Sequence, residues 1–115
     1  MKTKPTRIEK IWGYEDIICN GELYCGKILF IQSGNASSWH YHKLKTEHFY
    51  IRSGTLLVKY GIEEEIEKSN EILLSEGDVF FVPVGLIHKL YAITDVELFE
   101  FSTQHFDSDS IRLKS

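Results

Sequence analysis

Residues 34–54 read GNASSWHYHKLKTEHFYIRSG, with Gly34, His40, His42, Glu47 and Gly54 at its punctuating positions. Two histidines at i and i+2 are turned about 200° apart on a helix, whereas on a strand both imidazoles share one side. The spacing therefore places His40 and His42 on a strand. Glu47 follows after enough residues for the chain to turn and offer its carboxylate from a neighbouring strand. A second stretch, GDVFFVPVGLIH over residues 77–88, ends in His88. Three imidazoles and a carboxylate suit a borderline divalent ion. Buried without one, they would leave unsatisfied polar groups and an uncompensated charge costing several kcal/mol. His40, His42, Glu47 and His88 are thus the expected metal ligands. The ion is Zn, Mn, Fe or Ni, since imidazole suits the borderline metals and a carboxylate admits Mn and Fe.

Outward from that stretch, strand signals dominate. Apolar and β-branched runs fall near residues 14–19, 23–32, 38–42, 47–52, 55–60, 71–74, 79–82, 87–93 and 96–102. Between them stand turn formers such as Asn20-Gly21, Ser53-Gly54 and Gly77-Asp78. Pro83 marks a strand end, where a missing N–H is tolerated. The acidic run 61–71 has only Ile62 and Ile66 in helical phase and reads as an exposed loop or hairpin. Many short strands and almost no helix predict an all-β barrel or sandwich in one domain over residues 1–115.

A net charge of −4 argues against nucleic acid or an anionic membrane as partner. No apolar run approaches the ~18 residues of a membrane span, and the basic N-terminal stretch lacks the apolar segment of a signal peptide, so a cytoplasmic protein is expected. Cys19 and Cys25 fit no redox or zinc motif and read as reduced packing residues. LFIQ, HFYI and VFFV are apolar on both faces, and Trp39 and Tyr41 point away from the histidines. Either another layer of the same chain or a second subunit must cover the outer faces, and a homodimer is the expected cover.

These residues carry a family resemblance. Gly34–x5–His40–x–His42–x4–Glu47–x6–Gly54 resembles the first cupin motif at every spacing, and Gly77–x5–Pro83–x–Gly85–x2–His88 resembles the second. The second motif usually closes on an asparagine, where this chain has Ala92. The resemblance implies a double-stranded β-helix, or jelly-roll, barrel with a metal near its mouth. The opening IWGYED and the closing VELFEFSTQHFDSDSIRL are similar to the cupin domain of type II mannose-6-phosphate isomerases. That kinship implies a metal-dependent isomerase or epimerase acting on a sugar or sugar phosphate, with a small carbohydrate as partner. Two rival readings stand beside it: a non-haem metal dioxygenase, and a non-catalytic carbohydrate-binding cupin.

Candidate residues beyond the ligands follow from position. Glu100 lies on the last apolar strand and serves as an acid–base group if it faces inward. Lys27 interrupts an apolar strand: outward it snorkels, inward it meets a phosphate or enediolate oxygen, as catalyst or substrate contact. Arg112, through the tail resemblance, is a candidate substrate contact. His48 must oppose Glu47 and reads as structural, and His105 beside the tail aspartates reads as exposed or else as lining the barrel mouth. Tyr50, Tyr60 and Tyr91 read as packing residues.

Overall fold

The computed structural model describes residues 1–115. Eleven strands follow in order: β1 (Thr6–Lys10), β2 (Gly13–Asn20), β3 (Cys25–Ile31), β4 (Trp39–His42), β5 (Glu47–Ser53), β6 (Leu56–Gly61), β7 (Asn70–Leu74), β8 (Val79–Val82), β9 (Ile87–Ala92), β10 (Val96–Ser102) and β11 (Ser110–Lys114). They form two antiparallel sheets, ordered β1-β2-β3-β10-β5-β8 and β11-β4-β9-β6-β7. One apolar cluster joins them, with Leu29, Ile31, Phe49, Ile51 and Leu98 from the first sheet and Leu56, Val58, Leu74, Leu90 and Ala92 from the second. The strand pattern predicts this all-β class, and the jelly-roll barrel is the form that the resemblance implies.

Alternation sets which side chains enter. On β3 the buried positions are Cys25, Lys27, Leu29 and Ile31; on β10 they are Val96, Leu98 and Glu100; on β5 they are Glu47, Phe49 and Ile51. Register then aligns like with like. Ile31 faces Val96, Leu29 faces Leu98 and Lys27 faces Glu100, while Ser102 faces Glu47. The interior therefore grades from apolar at one end to ionised at the other, because each strand's sequence changes character along its length. That gradient locates the site.

Two strands lie outside the expected set. β1 (TRIEK) and β11 (SIRLK) are short, charged and at sheet edges, so their alternation is masked by side chains that solvent tolerates on either face. The acidic segment behaves as expected at 62–65, which is exposed, and holds a single 3₁₀ turn at Ile66–Lys68. This segment also secures a core residue. The carbonyl of Glu64 accepts the indole N–H of Trp39 at 2.7 Å, and Trp39 is fully buried on the outer side of β4. Gly54 turns β5 into β6 with φ +91°, and a Cβ there would sit 2.1 Å from the Asp95 carbonyl oxygen, so only glycine fits. Cys19 and Cys25 are free thiols. No helix is long and apolar enough to cross a membrane.

Candidate metal centre

β4 presents His40 and His42 from one face, and register sets His40 opposite His88 of β9. The ring centroids of His40 and His88 are 4.4 Å apart, and one nitrogen from each of the three histidines lies within 4.8 Å of the others. Grouped in this way, the three histidines could hold a metal ion. Glu47, first residue of β5, approaches from the opposing sheet. Its Oε2 is 3.4 Å from His42 Nε2 and 3.3 Å from His88 Nε2.

Two buried polar atoms at this point, His42 Nδ1 and Glu47 Oε2, have no hydrogen-bond partner within the chain. Nδ1 of His40 lies 2.8 Å from the Ser38 carbonyl oxygen and Nδ1 of His88 lies 3.0 Å from that of Leu86. A proton donated there leaves Nε2 bare and aimed inward, the arrangement that outer partners impose on metal-binding imidazoles. Glu47 Oε2, between two imidazole nitrogens, is buried with no hydrogen-bond partner. His88 Nε2 faces it as an acceptor, and either a proton on His42 Nε2 or a positive ion among the three groups satisfies it. Lys45 Nζ lies 3.4 Å from the other oxygen, Oε1, so Oε2 is the one available to an ion. Three imidazoles and one carboxylate oxygen fit a borderline divalent metal.

The imidazoles are held in the binding form. Burial, with the neighbouring His88, pushes His40 down to about 3; burial pushes His42 down to about 4 against the opposing pull of Glu47. Lowered folded values mean that the unfolded chain binds more protons between about pH 6.5 and pH 4. Metal-free protein is therefore expected to lose stability as pH falls through that window. Urea titrations at about pH 7.5 and about pH 5 should differ by on the order of 2–4 kcal/mol. Equal stabilities would overturn the neutral assignment.

The four side chains belong to the wall of a cavity of about 510 Å³, which also meets Lys45, Glu100 and His105 and carries exposed Lys10 and Arg112. Glu100 does face inward and is buried. Lys45 Nζ donates to its Oε2 at 3.0 Å and Ser102 Oγ to the same oxygen at 2.9 Å. Burial alone would raise the Glu100 carboxyl, but the Lys45 and Lys27 ammonium groups outweigh it and hold the group below the usual carboxylate range. Burial would likewise lower Lys45, and Glu100 and Glu47 more than offset it.

Other candidates separate. Lys27 points inward and is buried, yet its Nζ lies 3.6 Å from Glu15 Oε1 and it is not part of the cavity wall. Arg112 pairs with His40 across β11 and β4 and is exposed at the cavity. His48 stacks on Phe81 at 4.7 Å on the outer surface. Tyr50 and Tyr60 pack against Phe99 and Phe80. His105, read from the sequence as exposed or else lining the barrel mouth, is on the cavity wall: its side chain is 16% exposed, with Nδ1 3.1 Å from Lys45 Nζ and Nε2 2.9 Å from Asp107 Oδ1. Lys45 is a site residue that the sequence reading misses. It lies in the connection before β5 and outside any strand, so alternation carries no signal for it.

A family model described as Cupin domain matches residues 28–101. Mannose-1-phosphate guanylyltransferase 2 of Escherichia coli O157:H7 is 29% identical over 107 residues, covering 90% of this chain and 21% of that protein. The chain thus spans about a fifth of the length of such curated relatives. Among solved structures, the capsular polysaccharide assembling protein CapF from Staphylococcus aureus matches with a TM-score of 0.83 at 18% identity, over 99% of this chain and 35% of that one. KdgF from Halomonas sp. matches with a TM-score of 0.75 at 16% identity, over 90% of this chain and 91% of that one. At these identities the structural matches speak for the fold.

Proposed function

This chain belongs to the cupin family, and from that premise we propose that it is a metal-dependent isomerase or epimerase acting on a sugar or sugar phosphate. One observation carries the reading: an orphaned Glu47 oxygen among imidazoles shares a cavity with a buried, ionised Glu100. The likeness to a protein named for mannose-1-phosphate supports a phosphorylated sugar as substrate class.

His40, His42, His88 and Glu47 through Oε2 would hold the ion. When bound, it supplies Lewis-acid polarisation of a carbonyl and the adjacent hydroxyl, which stabilises an enediolate. Glu47 is committed to holding it and is not the base. Glu100 takes that part, moving a proton between neighbouring carbons with a contribution of about 10²–10⁴-fold. Lys45 and Ser102 both donate to its Oε2, which leaves Oε1 for the proton. Lys27 adds a second positive charge that keeps the carboxylate ionised. Arg112 at the exposed rim binds the phosphate, for which a guanidinium fork is suited.

Elemental analysis of protein purified without added metal, followed by a panel of aldose and ketose phosphates with that metal, tests the reading. Interconversion is expected. Silence across the panel with the metal verified as present would sink it, and oxygen uptake by iron-loaded protein would replace it with an oxygenase.

We also propose a homodimer. The outer face of the first sheet carries a contiguous apolar patch, with Phe101 opposite His48 and Phe99 opposite Tyr50, and Val79 and Phe81 beyond. Phe101, Val79 and Phe81 are 57%, 59% and 49% exposed in the single chain, and such a patch needs a cover. Sedimentation should give twice the 13.4 kDa chain mass, and Phe81→Lys with Phe101→Lys should return it to one. A monomeric parent protein refutes the dimer.

A further inference from the structure

Two of the three imidazoles have a partner for Nδ1, and the third does not. His42 Nδ1 is buried with no hydrogen-bond partner, and a carboxylate oxygen, Asp109 Oδ2, lies 3.8 Å away. Asp109 is 5% exposed and comes from the 3₁₀ turn Asp107–Asp109, placed beside His42 because Ser110 begins the β11–β4 ladder opposite it.

Its carboxylate is already occupied in an informative way. Oδ1 accepts the backbone N–H of Lys43 at 2.9 Å and of Leu44 at 2.8 Å, and Oδ2 accepts that of Lys45 at 3.0 Å. Those three residues are the first three of the connection between His42 and Glu47. A carboxylate has about four lone-pair sites. Three are used, and the fourth belongs to Oδ2, the oxygen on the His42 side.

We propose that Asp109 is the positioning residue of the metal centre: it fixes the His42–Glu47 connection and accepts the Nδ1–H of His42 when Nε2 takes an ion. The carboxylate–imidazole–metal arrangement sets the tautomer and ring direction and raises the donor strength of the nitrogen. It also explains why a buried acid stands here without a lysine or arginine as partner. An asparagine of the same shape cannot replace it. Its NH₂ would face either the backbone N–H groups of the connection or the His42 Nδ1–H, donor against donor.

The inference rests on the metal reading, and its test separates the two. Zinc affinity is measured by competition with a chromophoric chelator for the parent protein, Asp109→Asn and Asp109→Ala, with Glu22→Gln as control because that exposed carboxylate is not part of the cavity wall. Affinity is expected to fall about 10–100-fold in the Asp109 variants and to stay unchanged in the control. In zinc-loaded parent protein, nitrogen-resolved NMR should show His42 protonated and slowly exchanging at Nδ1. That measurement decides the matter if Asp109→Asn fails to fold. Zinc binding by folded Asp109→Asn within about twofold of the parent, or His42 without an Nδ1 proton, overturns the role of Asp109 alone. A parent protein that takes up none of zinc, manganese, iron and nickel overturns the metal reading and this inference together.

Discussion

Replacing His88 with alanine is expected to abolish tight binding of a divalent ion. Apparent free energies of about 10–16 kcal/mol for four-ligand zinc sites correspond to roughly 3–4 kcal/mol per ligand, a loss of about 10²–10³-fold. His88 is 1% exposed and its ring centroid lies 6.2 Å from that of Phe49, so alanine removes packing as well as a ligand. Its ring lies at the cavity wall, its Nδ1 contact is to a local carbonyl two residues away, and its Nε2 lies 3.3 Å from the orphaned Glu47 oxygen. The metal-free variant should therefore lose stability in urea through the cavity it leaves, and added metal should no longer restore any. In the parent, a ligand at a hundredfold excess over its dissociation constant should add about 2.7 kcal/mol. Equal metal stabilisation of parent and variant would show that the three histidines do not act together.

The second large effect concerns Lys45. Lys45→Met leaves the carboxylates of Glu47 and Glu100 buried without their shared ammonium, and breaking a buried pair costs about 3–5 kcal/mol. The Glu100 carboxyl should then rise, since the first of the charges holding it down is gone. A group whose folded pKa is lowered contributes stability above its unfolded pKa and loses it as pH falls. The variant should accordingly show less acid sensitivity from this group than the parent. Adding Glu100→Gln to Lys45→Met should recover part of the lost stability, and a double-mutant cycle by urea unfolding measures the coupling. Additive effects would mean that the 3.0 Å contact contributes nothing.

His88 and Lys45 also mark the limits of reading the chain as text. His40, His42, Glu47 and His88 are legible because strand periodicity converts spacing directly into facing, and because four polar groups turned into one small barrel are costly without an ion. Glu100 and Lys27 stand out as charges in apolar strands, but which way each points stays open in the sequence. The structure turns both inward, and the register between β3 and β10, which depends on the whole sheet, sets them face to face. Lys45 looks like one of several lysines in a polar connection. Its burial depends on a loop shape held by Asp109, 64 residues later, which no local pattern encodes. His105 escapes for the same reason: its environment comes from Lys45. β1 and β11 escape because edge strands need only one partner and tolerate charge on both faces.

The graded interior has an evolutionary consequence. Apolar side chains such as Ile31, Val58 and Val96 close one end, where truncation of a packed residue typically costs about 2–5 kcal/mol. The ionised end is just as intolerant where its charges are buried, since Lys45, Glu47 and Glu100 depend on one another. Only the exposed rim, with Lys10 and Arg112, can change side chains without touching either the packed end or those buried charges.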